Sequence, residues 1–145
     1  MTTETENGAN STSDAPVPEP QPFFILYLPD PAYSIELDLL ARWVHGLLLP
    51  IYGQETSSTR PWCPQWWQHM SAVGHLHSLW LSWQALTGAG AEATGPAMWH
   101  RDFLMPIMNT LRAPDGPFAG CKAGAHRPKE TPPIEEFGAP LPLES

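Results

Sequence analysis

Three side chains in this sequence could hold a metal ion or act as nucleophiles: Cys63, His69 and Cys121. Thiolate and imidazole are the donors that structural zinc favours, four of them in a tetrahedron. The spacing argues against such a site. Compact zinc sites pair cysteines two to four residues apart, whereas 57 residues separate these two and no second close pair exists. A fourth donor would have to be His100 or Asp102, and spacing assigns neither. The plain expectation is therefore that both thiols are small buried hydrophobes, that His69 is a core histidine bonded to a backbone carbonyl, and that the chain holds no metal and no other cofactor. His75 falls in a polar stripe and is expected in solvent, while His45, His77 and His126 have no partner at useful spacing.

Other chemistry has little support. There is no Gly-x-Ser-x-Gly turn, no phosphate-binding glycine loop and no pair of carboxylates at a working distance in sequence. Arg101 and Asp102 are neighbours and should point in different directions on a helix, so their pairing is not implied. No residue is assigned a catalytic or cofactor-binding role, and the expectation is a noncatalytic protein.

The elements that position these groups are helices. From Ser34 to Tyr52, Leu39, Leu40, Trp43, Val44, Leu47, Leu48 and Ile51 recur at steps of one and three, one broad apolar face. Ser34 is the expected N-cap, and Pro50 should distort the last turn. A second helix is expected from Pro64 to about Leu86, with Cys63 at its cap and Pro64 at its first position. Its polar residues Gln65, Gln68, Ser71, His75, Ser78 and Ser82 form a narrow stripe. The remaining face, with Trp66, Trp67, His69, Met70, Val73, Leu76, Leu79, Trp80 and Trp83, marks it as central. A third helix should start at Pro96, carry Met98, Trp99, Phe103, Ile107 and Leu111, and kink at Pro106. Pro114, Asp115, Gly116 and Pro117 then form a turn that returns Phe118 and Cys121 to the core. The run Phe23 to Leu28 is expected to be extended along the helices.

Composition sets the boundaries. Residues 1–22 have no aromatic and no basic residue, four acids, and prolines at 16, 18, 20 and 22, so they cannot bury enough apolar surface to offset the entropy of ordering. Residues 122–145 carry five prolines among mixed charges and read as mostly disordered. All seven tryptophans and both cysteines lie in 23–121. The expectation is an all-α, three-helix domain over that interval, built on an aromatic-rich central helix between two disordered tails. The net charge of −8 comes with only four scattered basic residues in the domain, Arg42, Arg60, Arg101 and Arg112, which argues against direct nucleic-acid binding. No secretory leader or membrane-length apolar run is present, so a cytoplasmic protein with reduced cysteines is expected.

The ordered set Leu49, Pro50, Ile51, Tyr52; Trp62, Cys63, Pro64, Gln65, Trp66, Trp67, Gln68, His69; Trp80, Trp83; Trp99, Arg101, Asp102, Pro106; Gly116, Pro117, Phe118, Cys121 resembles the actinobacterial domain of unknown function 4913 over roughly residues 35–121. The resemblance implies a setting in plasmids, integrated elements or phages and brings no established activity. The family pattern has His where this chain has Phe103 and Asp where it has Met105, so no site using those groups carries over. The expected function is a noncatalytic interaction module, an accessory protein of such an element with an unidentified protein partner. The alternatives are a metal-stabilised or metal-dependent small enzyme using Cys63, His69 and Cys121, and a DNA-associated accessory protein. The sequence leaves the oligomeric state open.

Overall fold

The computed structural model describes residues 21–138. Apart from Gln21 and Pro22, the expected N-terminal tail lies outside the described residues, as do residues 139–145. The described residues form helices and turns with no named strand, as the apolar spacing requires.

The first helical rod consists of α1 (Ala32–Trp43), a π-helical segment (Val44–Leu48) and α2 (Leu49–Tyr52). The third repeats the pattern, with α4 (Gly95–Trp99), a π-helical segment (His100–Leu104) and α5 (Met105–Leu111). In both rods a proline, Pro50 or Pro106, lies just after the wider turn. A proline ring clashes with the carbonyl four residues back, and π-helical turns provide the room. The distortion expected at each proline therefore falls on the turn preceding it.

Between the rods runs α3 (Met70–Thr87), which touches α1, α4 and α5. Its buried residues Ala72, Val73, Leu76 and Leu79 meet Leu40, Val44, Trp99 and Leu111 in a single core. Trp99 donates its indole N–H to the Leu79 carbonyl at 3.2 Å, and its ring meets Trp43 and Tyr52 edge-on. At Gly95 a Cβ would lie 2.1 Å from the Leu86 carbonyl oxygen, so only glycine lets α4 start this close to the end of α3.

Several local expectations are corrected. The central helix begins at Met70 rather than Pro64, and its N-cap is His69, in extended conformation. Residues 64–68 are used in a turn and one 3-10 turn, Trp66–Gln68. Cys63 therefore caps no helix. Trp66 is drawn fully inside, while Trp67 and Met70 stay exposed. In the first rod Leu40, Trp43, Val44 and Leu48 are buried, but Leu39 and Ile51 face outward, so the apolar stripe is wider than the core it meets. Ser34 is inside α1, which starts behind Pro31, and its Oγ donates to Asp30 Oδ1 at 2.7 Å. Phe23 to Leu28 is not fully extended, because Ile25–Tyr27 makes a 3-10 turn that buries Ile25.

Candidate metal centre

The turn after α5 positions the end of the domain. Gly116 lies where a Cβ would meet the Thr110 carbonyl at 2.7 Å, a close approach that sends Phe118 back onto Trp62, ring centroids 4.7 Å apart, and onto His69 at 5.4 Å. Gly120, at φ +83°, takes the left-handed conformation that brings Cys121 inward. The chain does not leave the fold there. Lys122 and Ala125 exchange backbone hydrogen bonds at 3.1 and 2.9 Å around Gly124 (φ +75°), and this tight turn swings His126 back beside Cys121.

Four donors converge as a result: Cys63, His69, Cys121 and His126, with their ligand atoms all within 4.8 Å of one another. Cys63 Sγ is 3.3 Å from His126 Nδ1, and Cys121 Sγ is 3.4 Å from His69 Nε2. A tetrahedral zinc ion with ordinary bond lengths sets S···N edges of about 3.5 Å and S···S edges of about 3.8 Å. The two sulfur–nitrogen edges already match, and the widest separation has to shrink by about 1 Å. Cys63, His69 and Cys121 are buried and His126 is half-buried. The fourth donor is thus His126, in place of the expected His100 or Asp102. His100 faces Tyr52, with its Nε2 2.7 Å from the phenol oxygen. Asp102 is exposed and chelated by Arg101 at 2.7 and 2.9 Å, a pairing that the expected divergence of neighbours on a helix did not imply and that forms within the π-helical segment.

The electrostatics suit a neutral ligand set waiting for a cation. Burial pushes the Cys63 thiol up to about 11, with the adjacent Cys121 thiol adding to it and the Gln65 amide opposing it. Burial, then the His126 and Lys129 charges, lowers His69, so it is an unprotonated imidazole at neutral pH. Both sulfurs have amide donors that would stabilise a thiolate, Gln65 for Cys63 and Arg127 N–H at 3.3 Å for Cys121. Lys129 ties the returning segment down, donating to Ala119 O at 2.6 Å and Arg127 O at 3.3 Å. Two thiolates and two imidazoles around Zn²⁺ sum to zero charge, a set that can be buried. With all four positions filled by protein, no place remains for the bound water a catalytic zinc keeps.

The other sequence-marked residues frame this corner. Trp62 and Phe118 cover it, and Trp66 donates its indole N–H to His45 Nε2 at 3.0 Å behind it. Pro64 is exposed at the turn and Pro117 half-buried. Trp80 and Trp83 are only partly buried against the core. Two histidines read as partnerless have partners: His45 holds Trp66, and buried His77 accepts from Ile25 N–H at 3.4 Å and lies 2.8 Å from Glu36 Oε2. His126 was legible as Cys121-x4-His126 beside Cys63-x5-His69, two Cys–His pairs, and escapes a search for close cysteine pairs. Among the described residues no helix is long and apolar enough to cross a membrane.

Comparison with known proteins places the chain. It belongs to the family described as Domain of unknown function (DUF4913), whose model matches residues 38–138 and so takes in all four donors. No curated protein and no solved structure matches it.

Proposed function

We propose that this protein is a noncatalytic interaction module whose C-terminal segment is locked onto a helical core by a structural zinc ion at Cys63, His69, Cys121 and His126. The observation that supports this reading is the convergence of two Cys–His pairs, more than 50 residues apart in sequence, on one buried point. Coincident core thiols need not bring two imidazole nitrogens within 3.3 and 3.4 Å of their sulfurs. Borderline-soft zinc, with no preferred geometry of its own, fits an S₂N₂ tetrahedron in a reducing compartment, which agrees with a cytoplasmic protein. For a partner, the exposed Trp67 beside Leu37, Ala41 and His45 offers an apolar groove of about 360 Å³. A protein is the partner such a surface and the acidic chain would take, in the mobile-element setting that the family resemblance implies.

Elemental analysis of untagged full-length protein should give one zinc per chain. Cobalt substitution should yield the spectrum of a tetrahedral S₂N₂ site, lost in Cys121→Ser. Metal-free protein that refuses cobalt, with an unchanged melting curve, would sink the zinc reading. For the module reading, Trp67→Ala should abolish capture of a specific partner from the host without altering the melting temperature. Retention of the same partner would exclude that groove.

A further inference from the structure

A second polar cleft lies between the loop after α2 and the face of α5, sharing no residue with the metal centre. It has a volume of about 270 Å³ and is lined by Gln54, Arg60, Asn109 and Arg112 on one side and by Leu104 and Met108 on another. Its charge is unbalanced. Arg112 is 1% exposed, yet among the described residues neither it nor Arg60 is in an ion pair. Glu55 gives Arg112 its backbone carbonyl, not its carboxylate. Burial and the positive charge of Arg60 both lower the guanidinium of Arg112, so the two cations are near enough to repel.

The free hydrogen-bonding groups in the cleft are nearly all donors. Arg112 uses Nε on Pro61 O at 3.4 Å and Nη2 on Glu55 O and Arg60 O at 3.1 and 3.0 Å, and Nη1 donates to no acceptor among the described residues. Arg60 uses Nη1 on Asn109 Oδ1 at 3.2 Å. An arginine only donates, so the amide carbonyl must face Arg60 and the Asn109 NH₂ is left unpaired. Tyr52 also lines the cleft, but its hydroxyl proton is committed. His100 Nδ1 faces the Pro96 carbonyl at 2.6 Å and must carry the hydrogen, so Nε2 accepts from Tyr52.

We infer that this cleft binds a carboxylate on a short aliphatic stem. A buried cation without a counter-charge is costly, and forked guanidinium donors match a carboxylate. Leu104, Met105 and Met108 supply the wall against which the stem packs. The volume admits one side-chain-sized group and excludes drug-sized ligands. Two sources share this chemistry, a free small organic acid and an acidic side chain of a partner protein.

The test uses metal-loaded full-length protein at constant ionic strength, titrated by NMR with glutarate, with a blocked Ala-Glu-Ala tripeptide and with inorganic phosphate. Saturable shifts should centre on the Arg60, Asn109 and Arg112 side-chain signals. Arg60→Gln should weaken binding at least about tenfold. Asn109→Asp, an exposed change that supplies the missing negative charge, should abolish binding while the melting temperature holds. Glutarate alone binding assigns the site to a free acid, and tripeptide binding as well assigns it to a partner's acidic side chain. Absence of saturation by glutarate and tripeptide up to about 50 mM, phosphate binding tighter than glutarate, or undiminished binding in Asn109→Asp would each overturn the inference. None of these outcomes depends on whether the other corner prefers zinc.

Discussion

Two polar nodes hold the irregular segments of this protein to its helices, and they do so by opposite means. At one, Cys63, His69, Cys121 and His126 point neutral donors at a common centre and need a cation from outside. At the other, Arg112 brings its own charge into the interior and gives it to the carbonyls of residues 55, 60 and 61. The first has ligands without a cation and the second a cation without an anion. A helical core of this size leaves about 100 residues to be stabilised by one cluster of apolar side chains, so long loops need such fastenings. The difference teaches which fastening can be removed reversibly: a metal can be taken out by a chelator, whereas an arginine can only be mutated.

The largest effect should therefore come from metal removal. Structural zinc contributes folding free energy outright, and a loss of even a few kcal/mol in a domain this small lowers the melting temperature by more than about 10 °C. Calorimetry before and after chelation measures it, and re-addition of zinc should restore the curve. An unmoved melting temperature would erase the contrast between the nodes. Trp66→Ala comes next, at roughly 3 to 5 kcal/mol for emptying a fully buried indole, read from denaturant midpoints with zinc in excess. A loss that large with the metal in place would show that the segment 62–69 is held by its core anchor as well as by its ligands.

Arg112→Met, which keeps the stem and removes the donors, should cost about 2 kcal/mol. Arg112 grips Pro61, two residues before Cys63, so the same change should also lower zinc affinity by about tenfold, as removal of outer-shell support does. Competition against a chromophoric chelator checks it, and an unchanged affinity would make the nodes independent. Ser78→Ala, which removes only a hydroxyl donating to its own helix at the Gly74 carbonyl, should change stability by less than about 0.5 kcal/mol. The smallest effect concerns pH. The Arg101 guanidinium holds the Asp102 carboxyl below its ordinary value, so any stabilisation from this pair is present above about pH 4 and fades as pH falls through the carboxyl's folded titration. The pair is exposed, and solvent screening keeps its contribution small. Melting curves of Asp102→Asn and the parent should coincide below pH 3, with a small gap at most above it.

Much of the fold is legible from residue spacing. The i, i+3, i+4 repeats give three helical rods, the two prolines mark their distortions, and Pro114 to Pro117 marks the turn that carries Phe118 home. What misleads is local preference overridden by packing. Pro64 suits the first turn of a helix, yet Trp62 and Trp66 must both enter the core, and a turn followed by a 3-10 turn does this where one regular helix does not. The site is half legible. Cys63, His69 and Cys121 stand out by type, but His126 sits among prolines and charges whose composition reads as tail, and only the backbone conformations of Gly120 and Gly124 reveal that the chain doubles back. Arg112 gives no sequence signal at all, since a buried guanidinium and a solvated one look alike in a string.

The π-helical turns at Val44–Leu48 and His100–Leu104 make chain length at those points less forgiving than chemistry. Gly46 has open space where a Cβ would go, so replacing it should be tolerated. Deleting it is another matter. With one residue fewer, the wide turn would close to an ordinary α-helical one, rotating everything beyond it by about 100°. Tyr52 would then turn away from Trp99 and His100, and the proline ring would be driven against the helix it now clears. Each rod thus carries a short window where single-residue insertions and deletions are filtered out while substitutions drift, an indel signature that the natural variation of this family should display.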